Sequence, residues 1–291
     1  MNYFKRIFIW LISLFLLGFI GVFILINTFD FSVSPETIDS SFSELQYAPR
    51  FKNVKFENRT IHYISIGDTS KQSVLFVHGS PGSWDNFLDF LSDSVLLNNY
   101  HLIAVDRLGF GKSGIGVPER SLEKQASAVN KVLIHQHRSA ILVGHSYGGA
   151  VITKMAIDFP NNVDGLILVA ASIDPKLEKI KWYQIPVHYK AFSWMLPAFL
   201  YSANEEILAL KNELIDMIPC WKNITIPVSV IHGEIDNLVP PENADFAKDM
   251  LINASVNMAK VSEMNHFVPW THPDLIKKEI EIVSARILDS N

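Results

Sequence analysis

SAILVGHSYGGAVITKMAIDF, residues 139–159, joins an apolar run of strand length to a helical stretch through Gly144-His145-Ser146-Tyr147-Gly148-Gly149. A chain that reverses this sharply between strand and helix needs small residues on either side of the turn. The serine is left projecting above the sheet edge, with the N-terminus of the next helix aimed at the same point. A G-x-S-x-G sequence alone is weak evidence; at a strand-to-helix junction it is specific.

Working outward, the same alternation repeats. SVLFVHG, HLIAVD, LILVAAS, PVSVIHG and NMAKVSE are further strand-length apolar runs. Between them lie WDNFLDFLSDSVLL, SLEKQASAVNKVLIHQH, PENADFAKDMLIN and PDLIKKEIEIVSARIL, with Pro241 and Pro273 where a first-turn proline is tolerated. Runs apolar on both faces suit parallel strands covered by helices on both sides, so the order predicts an α/β fold with a doubly wound parallel sheet. Upstream, Lys55 to Ile66 reads as a hairpin around Glu57-Asn58-Arg59. One interval breaks the rhythm: about fifty residues separate Ala171 from Pro227, against the few residues of a usual connection. It carries Trp182, Tyr183, Tyr189, Phe192, Trp194, Met195, Phe199 and Tyr201. These are expected to pack a small helical insertion onto the main body, some of them facing a pocket.

The N-terminus differs from the rest. From Ile7 to Phe29 there is no Asp, Glu, Lys, Arg or His, and about twenty apolar residues span a bilayer core of about 30 Å as a helix. A cleaved signal peptide is the rival reading, but its apolar region is usually about 7–15 residues, and Ser32-Val33-Ser34 followed by Pro35 is a poor cleavage context. The expectation is an uncleaved single-pass anchor over residues 1–30. Lys5 and Arg6 precede it and Asp30 is the first acid after it, which keeps the N-terminus cytoplasmic and the remainder on the far side, periplasmic, extracellular or lumenal. Residues 31–50 read as a tether, and 51–291 as one folded domain. At 291 residues with 48% hydrophobic content the chain has enough for such a domain, and a net charge of −5 gives no basic surplus for nucleic acid. The single cysteine, Cys220, excludes an internal disulfide and any cysteine-built zinc site. Three Asn-x-Ser/Thr sequons, at Asn58, Asn223 and Asn253, match what chance supplies.

A serine hydroxyl becomes nucleophilic only when a base takes its proton and a third group orients that base. Of ten histidines, His266 follows the last strand, at the sheet edge where open α/β sheets place their sites. His272 is the alternative. For the acid, Asp236 lies just beyond strand PVSVI in His232-Gly233-Glu234-Ile235-Asp236-Asn237-Leu238-Val239-Pro240, giving the order Ser, Asp, His. Asp174, after strand LILVAAS, competes with it, and Glu234 reads as a solvated loop carboxylate. An oxyanion needs backbone N–H donors. The Tyr147 amide qualifies, as does Ser80 in His78-Gly79-Ser80-Pro81-Gly82, where Pro81 has no N–H to give. Asp106-Arg107-Leu108-Gly109-Phe110-Gly111-Lys112-Ser113 lacks phosphate-loop spacing and reads as a structural loop.

HGSPGS, DRLGFGKS, GHSYGG, GEIDNLVP and NHF, in that order over about residues 51–291, resemble the α/β-hydrolase superfamily. The resemblance implies an eight-stranded, mostly parallel sheet with a cap inserted at about 172–222. It implies Ser146, Asp236 and His266 as the catalytic triad and Ser80 and Tyr147 as the oxyanion hole. Relatives that open epoxides or displace halide carry aspartate at the turn, which disfavours those reactions for Ser146. The expected activity is cleavage of a carboxylic ester or related acyl bond through an acyl-enzyme, on an apolar or lipid-like small molecule, without cofactor or metal. The same triad also serves C–C bond hydrolysis, lactone opening or perhydrolysis. A catalytically silent, membrane-tethered binding module is the alternative of another class.

Overall fold

The computed structural model describes residues 3–28, 32–194 and 196–290; Asp30 and Met195, used in the reading above, lie outside these. Eight strands form one sheet: β1 Arg50–Phe56, β2 Arg59–Ile66, β3 Gln72–Val77, β4 Tyr100–Val105, β5 Ala140–His145, β6 Val163–Val169, β7 Val228–Gly233 and β8 Val256–Val261. Their order is β1-β2-β4-β3-β5-β6-β7-β8. β2 is antiparallel to both β1 and β4, and every pairing from β4 to β8 is parallel. The hairpin is longer than the sequence indicated, reaching back to Arg50, and it turns at Glu57 with φ 52°.

The apolar runs are buried on both faces for the expected reason. Along β5, Ala140 and Leu142 enter one core while Ile141 and Val143 enter the other, the period of two that a strand imposes. Helices Leu122–Gln136 and Tyr147–Asp158 cover the first face through residues such as Val129, Leu133, Ala150 and Val151. Helix Pro273–Ser290 covers the second through Ile276, Ile280 and Val283.

The interval after β6 holds helices Gln184–His188, Lys190–Ser193 and Ala198–Met217, then a 3-10 turn over Ile218–Asn223. Its packing differs from the sequence expectation. Leu210, Leu214, Met217 and Trp221 seat it on the core, and the Trp221 ring meets Phe246 edge-on at 5.6 Å. Trp182, Tyr183, Tyr189, Phe192 and Trp194 remain exposed. Periodicity identifies apolar residues but not which of two apolar faces reaches the body, and here the later helix takes that place.

Helix Tyr3–Thr28 contains the apolar run, with mean hydropathy 2.8 over Lys5–Leu25 and none of it buried. The segment read as a tether is more ordered than its composition suggested. The Ser34 hydroxyl accepts the Thr37 N–H at 3.2 Å, capping helix Pro35–Phe42, whose Phe42 is buried; the Val33 N–H reaches Asp85 Oδ2 at 2.9 Å.

The turn after β5 packs against the end of β3 with no space for a methyl group. A Cβ at Gly148 would sit 2.2 Å from the Val77 carbonyl oxygen and 2.6 Å from that of His78, both backbone atoms. Gly148→Ala is expected to destabilise the fold by about 3 kcal/mol, as overpacking against fixed backbone does. Urea denaturation of the purified chain checks this; a midpoint equal to wild type would show that the turn relaxes.

Candidate active site

Ser146 sits where β5 gives way to helix Tyr147–Asp158, with φ 55° and ψ −122°, a conformation L residues rarely adopt. The surrounding backbone holds it there: its N–H donates to the Val169 oxygen at 2.9 Å, and its own carbonyl accepts the Gly149 and Ser172 N–H groups at 2.9 and 3.2 Å. A Cβ at Gly144 would meet the Gly148 oxygen at 2.5 Å, so the flanking glycine serves close approach across the turn.

Asp236 follows β7 in a turn closed by its N–H on the Gly233 oxygen at 3.2 Å. Its Oδ1 accepts the Leu238 and Val239 amides at 2.9 and 2.8 Å, and its Oδ2 accepts His266 Nδ1–H at 2.7 Å, with His232 Nε2 at 3.5 Å. Burial alone would raise the Asp236 pKa; hydrogen bonds to His232, His266 and the Val239 amide outweigh it and hold the carboxyl below the ordinary range. With Nδ1 committed to the carboxylate, His266 Nε2 carries the lone pair. No hydrogen bond joins Ser146 Oγ to that nitrogen among the described residues; in unliganded sites this contact is commonly long and tightens around substrate.

His145, beside the serine on the turn, supports His266. Its Nε2–H donates to the His266 carbonyl at 2.9 Å and its ring lies 4.8 Å from the His266 ring, with Trp270 on its other contact at 5.5 Å. Burial, with the neighbouring His266 adding to it, lowers the His145 pKa to about 3, so it stays neutral through the physiological range. The other carboxylates have their own partners: Asp174 Oδ1 accepts the Lys176 amide and Glu234 accepts the Ser262 hydroxyl. His272 Nδ1 bonds Thr271.

The Gly79-Ser80 loop leaves β3 beside the turn; a Cβ on Gly79 would lie 3.0 Å from Ser146 Cβ. No acceptor among the described residues takes the Ser80 N–H, and the Tyr147 N–H opens its helix, where backbone donors have no intrahelical partner. Ser80 and Tyr147 amides therefore flank the serine with donors available. Among the described residues no group of three His, Cys, Asp or Glu is arranged to hold a metal.

Two residues here escaped the sequence reading. Arg107, assigned above to a structural loop, is wholly buried and pairs with Glu206 through two hydrogen bonds of 2.8 Å. Its neighbour Asp106 does serve the loop, accepting the Trp84 and Lys112 amides and His62 Nδ1–H. Position at the end of β4, beside β3, was the available signal for Arg107; Glu206, mid-helix in the long interval, offered none.

A family model described as the alpha/beta hydrolase fold matches residues 72–205. A lipase of Psychrobacter immobilis is 26% identical over 232 residues, covering 67% of this chain and 72% of the relative. Among solved structures, a membrane phospholipase A superposes with TM-score 0.64 at 19% identity, covering 97% of this chain and 99% of the other. An esterase from Rhodococcus sp. ECU1013 superposes with TM-score 0.61 at 23% identity, covering 81% and 98%. The chain has the α/β-hydrolase fold, is similar to the lipases and esterases that share it, and is a hydrolase of that type.

Because the folded Asp236 carboxyl titrates below its unfolded value, its contribution to stability is present above about pH 3.9 and is lost as pH falls through the folded pKa. Asp236→Asn is expected to be less stable than wild type at pH 6, with the gap closing below about pH 4. Urea titrations at pH 6, 4 and 3 check the sign; a gap that widens in acid would contradict it.

Proposed function

We propose that the chain is a membrane-anchored serine hydrolase that cleaves a carboxylic ester with an apolar or lipid-like acyl or alcohol group. The observation that carries this reading is the 2.7 Å hydrogen bond from His266 Nδ1–H to Asp236 Oδ2, at the sheet edge that also presents Ser146. Ser146 is the nucleophile, His266 the base and Asp236 its acid. His266 Nε2 takes the Ser146 hydroxyl proton as Oγ attacks the ester carbonyl, and Asp236 stabilises the imidazolium. The Ser80 and Tyr147 amides hold the oxyanion. Collapse breaks the C–O bond, and the leaving alkoxide takes the proton from His266. Water then attacks the acyl-enzyme by the same route, releasing the acid and restoring Ser146.

Several features support an apolar substrate drawn from a membrane. Helix Tyr3–Thr28 is long and apolar enough to span a bilayer. Its Phe23 ring meets Trp194 edge-on at 5.8 Å, in the same segment of chain that exposes Trp182, Tyr183 and Tyr189. Amphipathic aromatics of this kind favour the membrane interface. The name of the membrane phospholipase A is in keeping with this reading. The segment about 172–222 acts as the cap, and residues 51–291 as the hydrolase domain, held on the side of the membrane opposite Lys5 and Arg6.

The test is fluorophosphonate labelling of the full chain in detergent, beside a panel of short- to long-chain esters. Wild type is expected to label and to favour the longer acyl groups; Ser146→Ala and His266→Ala are expected to lose labelling and at least about 1,000-fold in turnover. A folded wild-type chain that neither labels nor hydrolyses any ester would exclude this function and favour a binding role. In cell fractions, the full chain is expected in the membrane pellet after carbonate washing and residues 31–291 in the supernatant; a full chain in the supernatant would exclude the anchor.

A further inference from the structure

The geometry points to Arg107 and Glu206 as positioning residues that set the Ser80 oxyanion donor and tie it to the seating of the helical segment above the site. This inference rests on the functional reading just given, in which the Ser80 amide binds the oxyanion.

Arg107 sits at the end of β4 and uses every arm of its guanidinium. Nε–H donates to the His78 carbonyl at 2.9 Å and one Nη2–H to the Gly79 carbonyl at 2.8 Å, while Nη1 and Nη2 both donate to the Glu206 carboxylate at 2.8 Å. Its backbone N–H donates to His78 Nε2 at 3.0 Å, which leaves the His78 proton on Nδ1, where it donates to the same Gly79 carbonyl at 2.7 Å. The plane of the guanidinium lies against two rings, 4.9 Å from the Phe110 centroid and 4.6 Å from that of Tyr147.

The consequence follows from the peptide group itself. A trans peptide is planar, and its C=O and N–H point in opposite directions. The carbonyl of Gly79 and the N–H of Ser80 belong to one peptide unit. Two donors, one of them cationic, hold that carbonyl toward Arg107, so the Ser80 N–H is turned to the other side of the loop. Gly79 approaches Ser146 closely there, so that a Cβ at this position would fall 3.0 Å from Ser146 Cβ. The Tyr147 ring, whose own backbone N–H is the second donor, rests on the same guanidinium. Arg107 thus contacts both donor-bearing residues or their immediate neighbours, without touching the reacting atoms.

Glu206 completes the arrangement from a distance in sequence. It lies on helix Ala198–Met217, in the long interval between β6 and β7, and its side chain is buried with that of Arg107. Gln125 Nε2 also approaches it, at 3.4 Å. A carboxylate so placed orients the guanidinium fork, and a lysine could not reproduce the fork with one ammonium. Displacement of the 198–217 helix therefore loosens the Gly79 carbonyl, and with it the donor that the transition state needs.

The test measures kcat and KM on a short-chain ester per active site, with sites counted by fluorophosphonate titration of the full chain in detergent. Arg107→Lys is expected to lower kcat by about 10- to 100-fold with KM changed less than about threefold, because a displaced oxyanion donor acts on the transition state. Affinity for a trifluoromethyl ketone, which forms a tetrahedral oxyanion adduct, should fall by the same factor. The paired variant Arg107→Met with Glu206→Leu removes both buried charges, which favours retention of the fold, and should show the same loss of kcat. A purely structural role would lower the number of titrated sites and the melting temperature while leaving kcat per site within about twofold of wild type, and that result would overturn the inference. A wild-type chain that fails to label at all would instead reject the functional reading and this inference with it.

Discussion

The backbone reversal at Ser146 is the constraint on which the rest depends. For the chain to leave β5 and enter a helix in a single residue, Gly144 and Gly148 must approach within a distance no side chain permits, and Ser146 must hold a positive φ. The same approach brings the new helix against the carbonyls at the end of β3. Sheet packing and site geometry are therefore one set of contacts, and the loop after β3 is placed beside the serine because the helix after β5 rests on it.

From that turn the remaining groups are supplied by strand ends. β7 and β8 are adjacent and parallel, so the turns that follow them emerge side by side, and Asp236 and His266 meet although thirty positions separate them. The serine at the turn faces partners that are heavily tied. Asp236 is engaged by two amides and two histidine rings, and His266 is braced through its own carbonyl by His145. Buried charges survive in this environment because each is given several donors or acceptors, which offsets the loss of water.

Much of this was legible in the sequence because it depends on local pattern. Period-two and unbroken apolar runs marked the strands, and glycines around Ser146 marked the turn. The meeting of Asp236 and His266 was legible because both follow strand ends, where such sheets gather side chains. What stayed hidden depends on distant packing. Glu206 is an ordinary helical acid until its helix folds over Arg107, and nothing near either residue in sequence signals the other. The aromatic residues between Trp182 and Trp194 look like core by composition, yet Leu210, Leu214 and Trp221 take that role. The order in residues 34–47 was also concealed, because its stability comes from one cap and a few contacts with the body, not from its own propensity.

A covalent acyl intermediate on Ser146 would be open to trapping. The full chain would be mixed with a slowly released activated ester, quenched in acid within seconds, digested and examined by mass spectrometry. The acyl mass is expected on the peptide containing Ser146, and it is expected to disappear on a longer incubation. Ester hydrolysis at full rate with no adduct, or with the adduct on another residue, would contradict that intermediate.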